Sequence, residues 1–471
     1  MLKPRMQEMQ VSVVDQPQAF GLGDSSGRKK VVRWVSKGGL AILDQGLISG
    51  SNFVISVMLA RWLFPEQYGA YAVAFGINVL IFTIYQSLLL EPMSVFGGSS
   101  YRDRLRGYLG SLLRMHVAVS LVICFTFGAS ALVARVVSRS TVLPGALLGM
   151  TIASPFILIF ALARRSIYLQ SAPSRAAIGS LIYSTSVLGA LYLLFRAGWL
   201  SPMSAFLLMG LGAGATASVQ WMYLRRNLRP SPAPAPTVRE SWGRHWRYGS
   251  WALAGSFAGW IPAYIYYPLL SSVSGMAHSG QLRALMNLTL PIEQMKAALG
   301  LLLIPYAARI CDTEGRSSAR ALSIKMTAVV FGFAVAYWGV LLWLQRPLFH
   351  FLYSGRYMDV VHLLPLVAIG SIVWTAAWGP VITLRGMNSP QSYFVAYAAA
   401  TCVSLLIGIP ATWRFGLTGA IWGSNIADIC SFVFIVIILQ RKIAGRSGIA
   451  ERFTIWREAR ANALAAESAA D

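Results

Sequence analysis

Charge is scarce in this chain, and acidic charge scarcest of all. Only 12% of the 471 residues are charged, and 17 Asp and Glu stand against 40 Lys and Arg. With 56% hydrophobic residues and a mean hydropathy of +0.57, the polar groups are too few to cover a water-facing surface. Cysteine is rarer still. Cys124, Cys311, Cys402 and Cys430 lie far apart, so neither a disulfide framework nor a CxxC metal site is encoded. The chain holds no GxxxxGK[ST] and no HExxH, the motifs of ATP-driven pumping and of zinc hydrolases. Before Lys29 and Lys30 there is no apolar core of the signal-peptide kind.

What the chain does have is long apolar runs. A bilayer core about 30 Å thick requires about 20 mostly apolar residues per helix. Runs of that kind fall at 39–60, 68–90, 108–134, 143–163, 177–195 and 203–224, and resume at 248–272, 282–308, 324–344, 363–384, 393–413 and 417–439. The expected fold is therefore an all-α polytopic membrane protein of about twelve transmembrane helices, in two six-helix bundles around a central cavity. The expected parts are an N-terminal tail 1–36, a first bundle 37–224, a Pro/Arg-rich linker 225–247, a second bundle 248–440 and a C-terminal tail 441–471. The linker contains the stretch RPSPAPAPT, whose prolines favour a semi-rigid connector.

The formal net charge of +23 lies in short segments between the apolar runs, not on a basic domain, so nucleic acid is not an expected partner. Sorted onto alternate sides of the twelve-span arrangement, thirty of the forty basic residues share one side with both tails, and seven lie on the other. Positive charge concentrates in cytoplasmic loops, so both termini are expected in the cytoplasm and the chain in the inner (plasma) membrane. A faint internal echo accompanies the two halves. Ser49, Gly50, Ser51 and Phe53 parallel Ala254, Gly255, Ser256 and Phe257, and Glu91-Pro92-Met93 parallels Ile304-Pro305-Tyr306.

The outer loops are short, the longest being 345–362, which leaves little room for a catalytic constellation. The expectation is a transporter without cofactor or metal, not an enzyme. Ionisable residues at membrane depth are costly unless they face a partner or a watery space, so each is a candidate. Arg283, Asn287, Glu293 and Lys296 fall in the eighth run, where Glu293 and Lys296 are spaced to pair locally and Arg283, Asn287 and Gln294 to share one face. Arg114 in the third run either lines a cavity or reaches headgroups. His116 reads as a hydrogen-bonded packing histidine, and Glu91 before Pro92 as a helix stop or a hinge. Asp44 in the first run and Asp428 in the twelfth, with Glu293, are the ion-coupling candidates. Asp428, midway along its run, is the more telling, and either binds a coupling ion or pairs with a basic group of another helix.

The stretch DQGLISGSNFVISVMLARWLFPEQYGAYAVAFG at 44–76 resembles the opening of Wzx-like polysaccharide flippases, in the multidrug/oligosaccharidyl-lipid/polysaccharide exporter superfamily. Arg164, Arg165 and Tyr168, the stretch HWRYGSWAL at 245–253, and SGQLRALMNLTLPIEQMKAAL at 279–299 extend the resemblance over both halves. It implies a two-lobed bundle that flips an undecaprenyl-diphosphate-linked oligosaccharide across the inner membrane for exopolysaccharide or O-antigen assembly. Its implied partners are that glycolipid, membrane lipids, and polysaccharide polymerase and export machinery. Under this reading Arg114, Arg283, Asn287 and Lys296 are the substrate-binding candidates, since cationic donors suit phosphate oxygens. The competing reading for the eighth run is a structural ion pair with Arg283 at the interface. The alternatives for the whole chain are a cation-coupled multidrug exporter of the same superfamily and a membrane glycan polymerase or ligase.

Overall fold

A computed structural model describes residues 25–137, 140–228, 230–232, 234–387 and 390–445. The expected tails fall largely outside these residues, as do Arg139 and Arg229. Among the described residues the chain is helical and without strands. In the first half run α1 (Ser25–Trp62), α2 (Pro65–Tyr85), α3 (Glu91–Gly98), α4 (Leu105–Val137), α5 (Leu143–Leu169), α6 (Pro173–Arg196) and α7 (Pro202–Asn227). A five-residue π-helix, Gln86–Leu90, joins α2 to α3 without a break in direction. The second half holds α8 (Val238–Tyr264), α9 (Tyr266–Val273), α10 (Met276–Asn287), α11 (Leu290–Thr313), α12 (Gly315–Trp343), α13 (Gln345–Tyr353), α14 (Leu364–Ala376), α15 (Trp378–Gly386), α16 (Pro390–Val403) and α17 (Ile409–Ile443).

Helix starts follow local chemistry. Proline opens α2, α5, α6 and α7, where its missing N–H costs nothing. Ser201 caps α7 by accepting from the Ser204 N–H, and Thr237 caps α8 by accepting from the Glu240 N–H.

Nine helical stretches among the described residues are long and apolar enough to cross a membrane. Six of them are the expected spans of the first half. The expected seventh and eighth runs fall short on continuous hydropathy, and the eleventh and twelfth merge into one stretch, Phe394–Ile443. That stretch folds back on itself at Gly416, whose φ of 56° suits a residue without Cβ. The eighth run is not one helix. It breaks at Leu288 and Thr289 between α10 and α11, where Pro291 has no N–H to continue the hydrogen-bond ladder back to Asn287. Arg283 and Asn287 therefore sit on a different helix from Gln294, and the single polar face expected of them does not form.

The two halves pack as two lobes that meet along α2 and α10. Glycines set that spacing: a Cβ on Gly69 would strike the Met276 carbonyl, and one on Gly280 the Pro65 carbonyl. The helix α8 belongs to both lobes. Its first turns press on α4 and on the π-helix, while Thr401 of α16 donates to the Ala258 carbonyl at 2.6 Å. The boundary expected at residue 248 thus falls inside a helix that bridges the lobes.

Candidate functional site

The lobe interface holds a buried charge that has no acidic partner among the described residues. Arg283 of α10 is 6% exposed and forms no ion pair with any described residue. Its guanidinium lies 4.7 Å from the centre of the Phe75 ring, and its Nε donates weakly to Ser56 Oγ at 3.4 Å. Tyr68, Tyr71, Tyr264 and Tyr267 complete the electrostatic surroundings, all from α2, α8 and α9. Aromatic faces and hydroxyls stabilise a cation less than a carboxylate does, so this charge keeps unmet capacity for an anion.

Asn287, one turn along, is fully buried and tied to the other lobe. It closes a ring of three hydrogen bonds. Ser56 Oγ donates to Asn287 Oδ1 at 2.8 Å, Asn287 Nδ2 donates to Tyr68 Oη at 2.9 Å, and Tyr68 and Ser56 share the third at 2.8 Å. Near the loop end of this interface, two arginines cross between lobes in opposite senses. Arg61 Nη1 donates to the Phe351 carbonyl of α13 at 2.7 Å, and Arg356 donates to the Leu63 carbonyl while its guanidinium lies over the Phe64 ring.

A second cluster lies within the C-terminal lobe. Lys296 Nζ meets Glu293 Oε1 at 2.7 Å, the local pair expected from their spacing, and lies 5.6 Å from the Trp374 ring centre. Asp428 of α17 stands within electrostatic reach of both Glu293 and Lys296. The fold therefore joins two carboxylates to one amine, across helices that the sequence could not relate. Asn425, beside them, donates to the Leu366 carbonyl at 2.8 Å, and Gly370 leaves room for both Asn425 and Asp428.

Two candidates stand apart from both clusters. Asp44 is fully buried and saturated: Arg164 reaches it from Nε at 2.8 Å and Nη2 at 2.7 Å, and Tyr168 and Ser180 donate their hydroxyls. Asp44 of α1 is thus paired with a basic residue of α5. Arg114 is exposed, on the same stripe of α4 as Val117, Leu121 and Phe125, which are 56%, 67% and 78% exposed. That stripe faces away from the bundle, and among the described residues Arg114 donates to Ser111 Oγ alone, at 3.2 Å. His116 is held by Tyr85 Oη at 3.0 Å and Ser120 Oγ at 3.3 Å, a packing histidine as expected. Glu91 accepts from Gln86 Nε2 at 3.3 Å across the π-helix.

Sequence reasoning missed the partners more than the charges. Ser56, Tyr68 and Phe75 carry no charge pattern, and only their place within the 44–76 resemblance marked them. Among the described residues no group of three or more His, Cys, Asp or Glu is placed to hold a metal ion.

No family model matches this chain, and no curated protein matches it in sequence. Solved structures match its fold. An inward-facing multidrug resistance MATE family transporter of the MOP superfamily aligns with a TM-score of 0.70 at 12% identity, over 85% of this chain and 95% of that one. The lipid II flippase MurJ in an inward closed conformation aligns at 0.65 and 12% identity, over 87% of each. A MOP superfamily transporter from Pyrococcus furiosus, described as having a binding pocket of reversed polarity, aligns at 0.62 and 13%, over 88% and 96%. The chain thus has the fold of the MOP superfamily transporters, a multi-pass α-helical membrane architecture whose solved examples here are transporters and flippases.

Proposed function

We propose that this chain is a flippase that carries an undecaprenyl-diphosphate-linked oligosaccharide across the inner membrane by alternating access, for exopolysaccharide or O-antigen assembly. One observation carries the reading: Arg283 is buried between the lobes without an acidic partner. A cation held there at the expense of its hydration favours an anionic ligand, and a diphosphate offers the oxygens a guanidinium binds best. Asn287 positions α10 and contributes an amide to the same wall. Lys296 supplies a second cation deeper in the C-terminal lobe, with Glu293 and Asp428 as the groups that respond to a coupling ion. Asp44 acts as a structural anchor, and Arg114 as a headgroup contact outside the substrate path. The basic end of the bundle is the cytoplasmic one, and a polymerase and export machinery take up the product beyond the membrane.

The test is flipping of lipid-linked oligosaccharide in liposomes by purified Arg283→Ala and Lys296→Ala. The reading expects loss of flipping at normal protein level in the first and a reduced rate in the second. Full activity in both would remove these residues from the mechanism. A second reading, export of a cationic drug, is favoured by the two carboxylates beside a single Lys296. Uptake of a fluorescent cation into inverted vesicles, abolished by Asp428→Asn and untouched by Arg283→Ala, would select it.

A further inference from the structure

The first turns of α8 form an exposed aromatic and basic stripe that neither the lobe interface nor the buried clusters use. Ser241, His245 and Gly249, spaced four apart, are buried against the N-terminal lobe. His245 faces Tyr108 Oη at 2.6 Å and the Leu88 carbonyl at 2.8 Å, and a Cβ on Gly249 would strike the Ser87 carbonyl. The seam is narrow, and it fixes the helix's orientation. Flanking that seam, Trp242 and Trp246 are 38% and 50% exposed, with ring centres 6.0 Å apart and planes 28° from parallel. Arg239 lies one turn before Trp242 on the same stripe, and Arg247 adjoins Trp246; both are exposed and neither forms an ion pair with a described residue. Arg244, by contrast, is engaged with Glu240 at 3.6 Å and lies over the Tyr101 ring.

We infer that this stripe is a docking surface for the headgroups of anionic phospholipids in the adjacent leaflet. The height is right: His245 bonds Tyr108, near the start of the apolar part of α4, so the neighbouring indoles stand where hydrocarbon gives way to headgroups. Indole rings favour that layer because one edge is apolar and the N–H is polar. Charge selects the lipid. Arg239 and Arg247 flank the rings, and the end of the bundle that carries them holds most of the chain's basic residues. A zwitterionic headgroup offers them no net attraction. Because the same helix reaches α16 of the other lobe, an occupied stripe holds the basic end of α8 in the headgroup layer while the lobes move.

The test is native mass spectrometry of the full chain purified in detergent, titrated with phosphatidylglycerol or phosphatidylcholine. Phosphatidylglycerol is expected to be retained preferentially. Arg239→Gln with Arg247→Gln should weaken that retention roughly tenfold or more, since each surface cation contributes a substantial share of anionic-lipid attraction. Trp242→Leu with Trp246→Leu should weaken it severalfold. Arg196→Gln with Trp199→Leu, an exposed pair at the opposite end, should leave it unchanged. All the altered side chains are exposed, and single substitutions can be read if a double variant purifies poorly. Equal retention of the two lipids by the wild type, unchanged retention in the arginine variants, or displacement of the lipid by millimolar inorganic phosphate would each overturn the inference.

Discussion

Asp44 and Arg283 are both buried charges on helices of one membrane bundle, yet their surroundings are opposite. Asp44 accepts from Arg164, Tyr168 and Ser180, all within its own lobe. Arg283 crosses to the other lobe and finds a ring face, the distant Ser56 hydroxyl and tyrosines of both lobes, but no carboxylate. A charge whose capacity is filled holds a lobe together, whereas one left unfilled at a moving interface is available to a ligand. Burial alone does not separate the two cases; the count of complementary partners does.

That contrast can be broken by stability measurements. The largest effect is expected for Asp44→Asn, which strands Arg164: unfolding stability in detergent should fall by about 3 kcal/mol, the low end for a broken buried pair because Arg164 keeps a 20% exposed side chain. Asn287→Ala should cost roughly 1–3 kcal/mol, since Ser56 and Tyr68 each lose a partner in a dry interface. A smaller, pH-dependent effect is expected at His245, near the basic end. Burial holds its imidazole below the ordinary value of 6.5. The unfolded chain therefore takes up the proton first, so the stabilisation is complete above about pH 6.5 and is lost as pH falls from there towards the folded value. Melting temperature should drop between about pH 7.5 and about pH 5.5 in the wild type, and drop less in His245→Gln. The smallest effect is expected for Arg283→Leu, within about 1 kcal/mol of wild type or more stable, because it removes an uncompensated charge. A loss at Arg283 as large as that at Asp44 would erase the distinction.

Much of the fold was legible in the sequence because hydropathy is a local property. The six spans of the first half coincide with apolar runs, and the Glu293 and Lys296 pair follows from a spacing of three on a helix. The seventh and eighth runs were harder to read, since polar residues such as Arg283, Glu293 and Lys296 dilute their hydropathy and the helices are broken where an uninterrupted span was expected. Nothing local joins Asp44 to Arg164, which lie 120 positions apart, or brings Asp428 to Lys296. Periodicity reports which residues share a face, and is silent on what the face meets. For the same reason Arg114, equal in type to Arg283, could not be told from it until the stripe of Val117, Leu121 and Phe125 fixed its direction.

The cycle of Ser56, Tyr68 and Asn287 has a mechanical consequence. Every member both gives and receives, so parting the lobes by a small amount would break both bonds to Asn287 and strand its amide in a dry seam with no water to relieve it, while Ser56 and Tyr68 keep only each other. Intermediate separations are therefore penalised, and the seam behaves as a snap fastener: shut, or open far enough to be wetted. Transport through such a closure would advance in discrete strokes, with little time spent ajar.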